Sequence, residues 1–275
     1  MERTGHGAMN MTNDLDRPQW WRIARWPLWS LPPHALVAVL LVIVSALGLT
    51  IAGLIMTPLT AQQLAVAGLL TALCIVHTEF LAGLEQVRRS LSFTGYNDMT
   101  SVWTFAAALL VPPALSASAA FVMLTHIWWR SFRPAGNPAY RGMHSRSTSM
   151  LACFGVGLVL TQSGIDVNTA GVPTFKAFLV ILVALLAYLT INTLLVVVTA
   201  CLALPETPFA DVFGTSDELA MEAATLGLGG ALAVILSSLS PWVACLLLPL
   251  VLVLHRAVAI QVLLSHALQR RRGVA

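Results

Sequence analysis

Apolar residues in this chain gather into seven long runs separated by short polar stretches. The runs cover about 34–56, 62–83, 102–129, 147–163, 175–203, 218–239 and 242–267. About 20 apolar residues in helical geometry cross a bilayer core about 30 Å thick, so the pattern predicts a polytopic all-α membrane bundle. Turn signals fall between the runs: Thr57-Pro58 ends the first, GIDVNTAGVPT follows the fourth, and Ser240-Pro241 precedes the seventh. Thr215 and Glu218 have the spacing of a capping box at the start of the sixth. The third run differs from the rest, because Pro112-Pro113 lies at its centre. Adjacent prolines remove two backbone donors and disfavour helix in the residue before them.

The basic residues turn that irregularity into a prediction of topology. There are fourteen Arg and a single Lys, Lys176, and nearly all sit between the runs. Cytoplasmic loops collect such residues. Seven crossings cannot satisfy this rule. With the N-terminal Arg3, Arg17, Arg22 and Arg25 inside, the 130–146 loop with its four Arg and the Arg270–Arg272 cluster fall outside. With the C-terminus inside instead, the N-terminal group and Arg88-Arg89 fall outside. Six full spans plus a re-entrant third run, broken at Pro112-Pro113, remove every conflict. Both termini are then cytoplasmic and only Lys176 lies outside. The alternative is a kinked third run that crosses. Re-entrant backbone is tolerated where protein buries it.

Composition agrees. Apolar types make up 57% of 275 residues and charged types 10%, against about 25% charged in soluble domains. Mean hydropathy is +0.81 and the net charge +3. Too few polar groups exist to cover a soluble globule. No stretch interleaves basic and aromatic residues as a base-stacking surface does, so the partner expected is the lipid bilayer and not nucleic acid. Residues 1–33 read as a cytoplasmic and interfacial segment, in which Trp20, Trp21, Trp26 and Trp29 alternate with Arg22 and Arg25 at headgroup level. Residues 34–268 form the membrane domain and 269–275 a basic cytoplasmic tail. The first run reads as an uncleaved span, because no small-residue cleavage pattern follows it.

Ionisable groups inside spans are costly and therefore functional candidates. They are His77, Glu79, Glu222, His255 and Arg256, expected as an intramembrane polar cluster. His77 and Glu79, two apart, point to different helix faces. Glu79 has Arg88 or Arg89 within reach of the following loop, in an interfacial ion pair. Glu222 lies one turn inside the sixth run, where the helix dipole favours an acid, and Arg256 is a partner at compatible depth. Tyr188, Thr190, Asn192 and Thr193 bring hydrogen-bonding groups to mid-membrane, and Gly227 with Ala231 makes a small-xxx-small pair for close helix approach. Cys74, Cys153, Cys201 and Cys245 occupy different runs without metal-ligand spacing and read as small buried hydrophobes. No catalytic, cofactor-binding or metal-binding motif is present, so no enzyme activity, cofactor or metal is expected.

Five strings carry a family likeness: HTEF…EQVRRSLSF (77–93), SVWTFAAALLVPP (101–113), PAYRGMHSRSTSMLAC (138–153), DELAMEAATLGLGG (217–230) and LLPLVLVLHRAVAIQVLLSHAL (247–268). With them the chain resembles the multi-span N-terminal membrane region of actinobacterial GGDEF-type diguanylate cyclases. In that family the last span leads into a cytoplasmic catalytic domain. Here the sequence ends in QRRRGVA with no GGDEF motif, so the resemblance transfers no active-site residue. It implies a bacterial inner-membrane sensory or regulatory module without its own catalysis, with a cytoplasmic signalling protein or a second copy of the chain as partner. The alternative function is small-solute transport or substrate binding in the membrane.

Overall fold

The computed structural model describes residues 27–134, except 92–98, together with 136–165, 175–207, 209–213, 216–238, 248–249 and 251–253. For 81–91, 210–211 and 217–218 it describes the backbone alone. Among the described residues every regular element is helical. A 3₁₀ turn, Pro27–Ser30, leads into α1 (Pro33–Met56) and α2 (Ala61–Leu91). The third apolar run forms two helices, α3 (Thr100–Leu110) and α4 (Pro113–Ile127), and a turn of π-helix (Trp128–Phe132) extends the second. Then come α5 (Ala139–Ser163), α6 (Phe175–Ala203), the short α7 (Phe209–Phe213) and α8 (Ser216–Ser238).

Among the described residues four helices are long and apolar enough to cross a bilayer: Pro33–Met56, Ala61–Phe80, Phe175–Ala203 and Leu219–Ser238. The chain is a helical membrane protein. α5 has the length but starts earlier than its apolar run suggests, at Ala139, because Arg141, His144 and Arg146 form a polar lead-in of two turns. The seventh run lies outside the described residues except for 248–249 and 251–253. The Thr215 cap also lies outside them.

The break at the prolines follows from backbone chemistry. Val111 N–H bonds the Ala107 carbonyl at 3.0 Å, and this is the last bond of α3. The next two donors would be Pro112 and Pro113, which have none. Pro113 instead opens α4, where a missing N–H is harmless, and Ser116 N–H bonds the Pro112 carbonyl at 2.9 Å.

The two arms run antiparallel, as their neighbours show. At one end, Trp103 of α3 meets His77 of α2, while Arg130, just past α4, meets Glu79 of α2. The start and finish of the broken run therefore lie beside one turn of α2. At the other end, Ala114 packs on Gly53 of α1 and Pro113 on Gly157 of α5. A cavity of about 360 Å³ there is lined by Gln63, Pro112, Pro113 and Thr161. We call these ends the foot and the tip. The arms, 11 and 15 residues long, reach about 16 and 22 Å, so neither alone spans a hydrocarbon core.

The hairpin is the centre of the fold. Ten of the eleven α3 residues are buried, among them Val102, Trp103, Phe105 and Ala106 with no exposed surface. By contrast α1 and α6 turn large apolar side chains outward, including Leu41, Val44, Ile55, Phe178 and Leu186, as helices facing lipid do. Close approach between α3 and α8 is carried by Gly229, where a Cβ would lie 2.6 Å from the Val102 carbonyl oxygen. Among the described residues Gly227 and Ala231 are exposed, and a Cβ on Gly227 would meet no described atom within 4 Å, so the approach to α3 falls on Gly229.

Candidate functional site

The foot of the hairpin gathers the charged groups. Glu79 accepts two hydrogen bonds from Arg130, 2.7 Å from Nε and 2.6 Å from Nη2. His126 Nε2 lies 3.0 Å from the same carboxylate. All three side chains are at least partly exposed. An ion pair is present at this position, and among the described side chains its cation is Arg130, from across the hairpin; the side chains of Arg88 and Arg89 lie outside the described residues. The fork of the guanidinium matches the carboxylate edge. His77 faces away, as the two-residue spacing predicts. It is 3% exposed, and its Nδ1 accepts a hydrogen bond from Trp103 Nε1 at 3.3 Å.

Arg146, on the polar lead-in of α5, is 7% exposed and sits without a carboxylate among the described residues. Its Nε donates to the Gly142 carbonyl at 2.8 Å and its Nη1 to Thr125 Oγ1 at 2.9 Å. Trp128 and Phe121 rings lie 5.2 and 5.6 Å from the guanidinium carbon, within cation–π range. His144 is similarly buried, and burial pushes its imidazole below the ordinary value.

Deeper in the bundle runs a path of hydrogen bonds that joins four helices. Ser101 of α3 donates to Glu222 Oε1 of α8 at 2.8 Å. One turn further along the same face of α3, Thr104 pairs with the Tyr188 hydroxyl of α6 at 3.0 Å. Tyr188 is 2% exposed and meets Phe105 edge-on, centroids 5.7 Å apart. One turn along α6, Asn192 Oδ1 lies 2.8 Å from Thr148 Oγ1 and 3.3 Å from Ser149 Oγ, both on α5. Asn192, Thr193 and Glu222 also line a cavity of about 210 Å³, walled by Val196, Val197, Val212, Phe213 and Leu219.

The expected polar residues thus fall into separate settings. Glu79 belongs to the charged foot, His77 to a buried contact with Trp103, and Glu222 to the path with Tyr188 and Asn192. His255 and Arg256 lie outside the described residues. Sequence reading missed Ser101, Thr104, Thr148 and Ser149. Hydroxyls are frequent in membrane helices, and nothing local sets these four apart. Cys74 and Cys153 are buried and Cys201 half-buried; Cys245 lies outside the described residues. Among the described residues no three His, Cys, Asp or Glu side chains converge as metal ligands would.

Comparison of the chain with protein-family models, with curated proteins and with solved structures finds no match.

Proposed function

We propose that this protein is a bacterial inner-membrane sensory or regulatory module that acts on a cytoplasmic signalling partner. The observation that carries the reading is the Ser101–Glu222 hydrogen bond. It links the central hairpin to α8, the helix that precedes the last apolar run and the C-terminus. A signal that moves the hairpin changes this bond, and α8 passes the change on to the last apolar run. The reading takes the chain as six spans and a re-entrant hairpin, with the foot cytoplasmic. Two features support that placement. Arg130, Arg133, Arg141 and Arg146 all belong to the foot side of the bundle, and Lys176 stands at the tip end beside Gln162 and Ser163.

The test is purification of the intact chain from native membranes in mild detergent. A cytoplasmic signalling enzyme should accompany it, and the activity of that enzyme should differ between wild type and Glu222→Gln. A second reading, solute transport, is favoured by the cavity at the break of the discontinuous helix, lined by Leu110, Pro112 and Pro113, an arrangement found in transporters. Sustained solute accumulation by proteoliposomes containing this chain alone would replace the first reading with the second.

A further inference from the structure

We propose that the cavity between α6, α7 and α8 binds a small organic ammonium ion, held by Glu222, Asn192 and Thr193 with its carbon skeleton against the apolar walls. The inference concerns binding alone and stands whether the protein signals or transports.

The first ground is charge. Among the described residues Glu222 has the neutral hydroxyl of Ser101 as its hydrogen-bond partner and no Arg, Lys or His beside it. A carboxylate in a membrane interior needs a positive partner or a proton. The foot shows the contrast, since Glu79 is matched by Arg130 there.

The second ground is the count of protons on Asn192's neighbours. Thr148 Oγ1 lies 2.8 Å from both the Ser145 carbonyl and Asn192 Oδ1, and its single proton serves one of them. Ser149 Oγ faces the same choice, at 3.4 and 3.3 Å. Turning the amide by half a rotation, an equivalent placement of its oxygen and nitrogen, resolves both conflicts. The amide nitrogen then donates to the two hydroxyls, and each hydroxyl keeps its proton for Ser145. This leaves the amide oxygen as the atom that Asn192 offers the cavity. Glu222, Asn192 and Thr193 then present a carboxylate, a carbonyl and a hydroxyl, three acceptors that match the three donors of an ammonium group.

The third ground is size and lining. A cavity of about 150 Å³ takes a benzene ring. The space here is about 210 Å³ and its remaining walls are Val196, Val197, Val212, Phe213 and Leu219. It accommodates a ring with a one-carbon ammonium arm.

The test uses the full chain in lipid nanodiscs with two probes of one shape, benzylammonium and benzyl alcohol. Titration calorimetry should show saturable benzylammonium binding, with the alcohol weaker by about tenfold or more because it lacks the charge-assisted bonds. Glu222→Gln should bring the two probes to equal affinity. Equal affinity in the wild type overturns the proposal, and so does unchanged preference for the cation in Glu222→Gln. Absence of binding by either probe also overturns it, the outcome expected if Arg256 already neutralises Glu222. The comparison of probes on the unmutated chain decides the matter even if the variant does not fold.

Discussion

Ser101 and Glu222 are 121 residues apart in sequence, yet the serine hydroxyl donates to the glutamate at 2.8 Å and joins the inner arm of the hairpin to α8. Interhelical hydrogen bonds of this kind contribute about 0.5–2 kcal/mol in membranes. Ser101→Ala should therefore lower stability by about 1 kcal/mol, and a double-mutant cycle with Glu222→Gln should return a coupling of similar size. Denaturant titration in mixed micelles measures both. A coupling indistinguishable from zero would mean that the contact contributes no stability.

The two glycines on α8 should respond oppositely. At Gly229 an added side chain runs into the Val102 backbone carbonyl, which cannot step aside. Gly229→Val should cost about 2 kcal/mol or more, or prevent folding. Gly227→Val, with no described atom within 4 Å of the added Cβ, should stay within about 0.5 kcal/mol of wild type. Melting of the two variants side by side checks the pairing of α8 with α3.

Single cysteines placed in a cysteine-free background test the hairpin. Gly95→Cys precedes α3 and Asn137→Cys follows the π-helical turn. An impermeant thiol reagent should label both from the same side in oriented vesicles. A third cysteine at 174, before α6, should react from the opposite side. Labelling of 95 and 137 from opposite sides would make the broken run a kinked span.

His144 predicts a pH dependence. It is 8% exposed, its Nε2 has no hydrogen-bond partner, and burial disfavours its charged form. The unfolded chain therefore binds the proton more readily. His144 should add stability above its unfolded value, about 6.5. That contribution is lost as pH falls through the lower folded value. Melting temperature of the wild type should drop as pH is taken from 7.5 to 5. His144→Phe, which keeps the ring and removes the titration, should flatten the drop. An unchanged slope in the variant would exclude His144 as its source.

The hairpin was legible in the sequence because its cause is local. Pro112 and Pro113 withdraw two donors wherever they stand, so the break in the third run is set by these two residues themselves. The limits of α6 were legible for a similar reason, since an apolar run bounded by polar stretches fixes its own ends. What the sequence hid is pairing. Nothing near Ser101 points to Glu222, nothing near Thr104 points to Tyr188, and Arg130 competes for Glu79 with two arginines closer in sequence. Hydropathy also rates Gly227 and Gly229 alike. Their difference is set by which side of α8 meets the Val102 carbonyl, and that depends on how the whole bundle packs.

The all-round burial of α3 has a consequence for how the protein is made. A ribosome delivers the hairpin well before α6 and α8 exist, and α8 supplies the contacts that Ser101 and Val102 use. The prolines leave the carbonyls of Ala108 and Leu109 without their usual helical donors. Such a segment is poorly suited to leave the insertion machinery alone into lipid. Its release must wait for the later helices, so α8 closes over a hairpin whose Ser101 was synthesised more than a hundred residues earlier. Truncation before α8 should leave the hairpin open to membrane proteases, which makes the last third of the chain the quality check on the middle one.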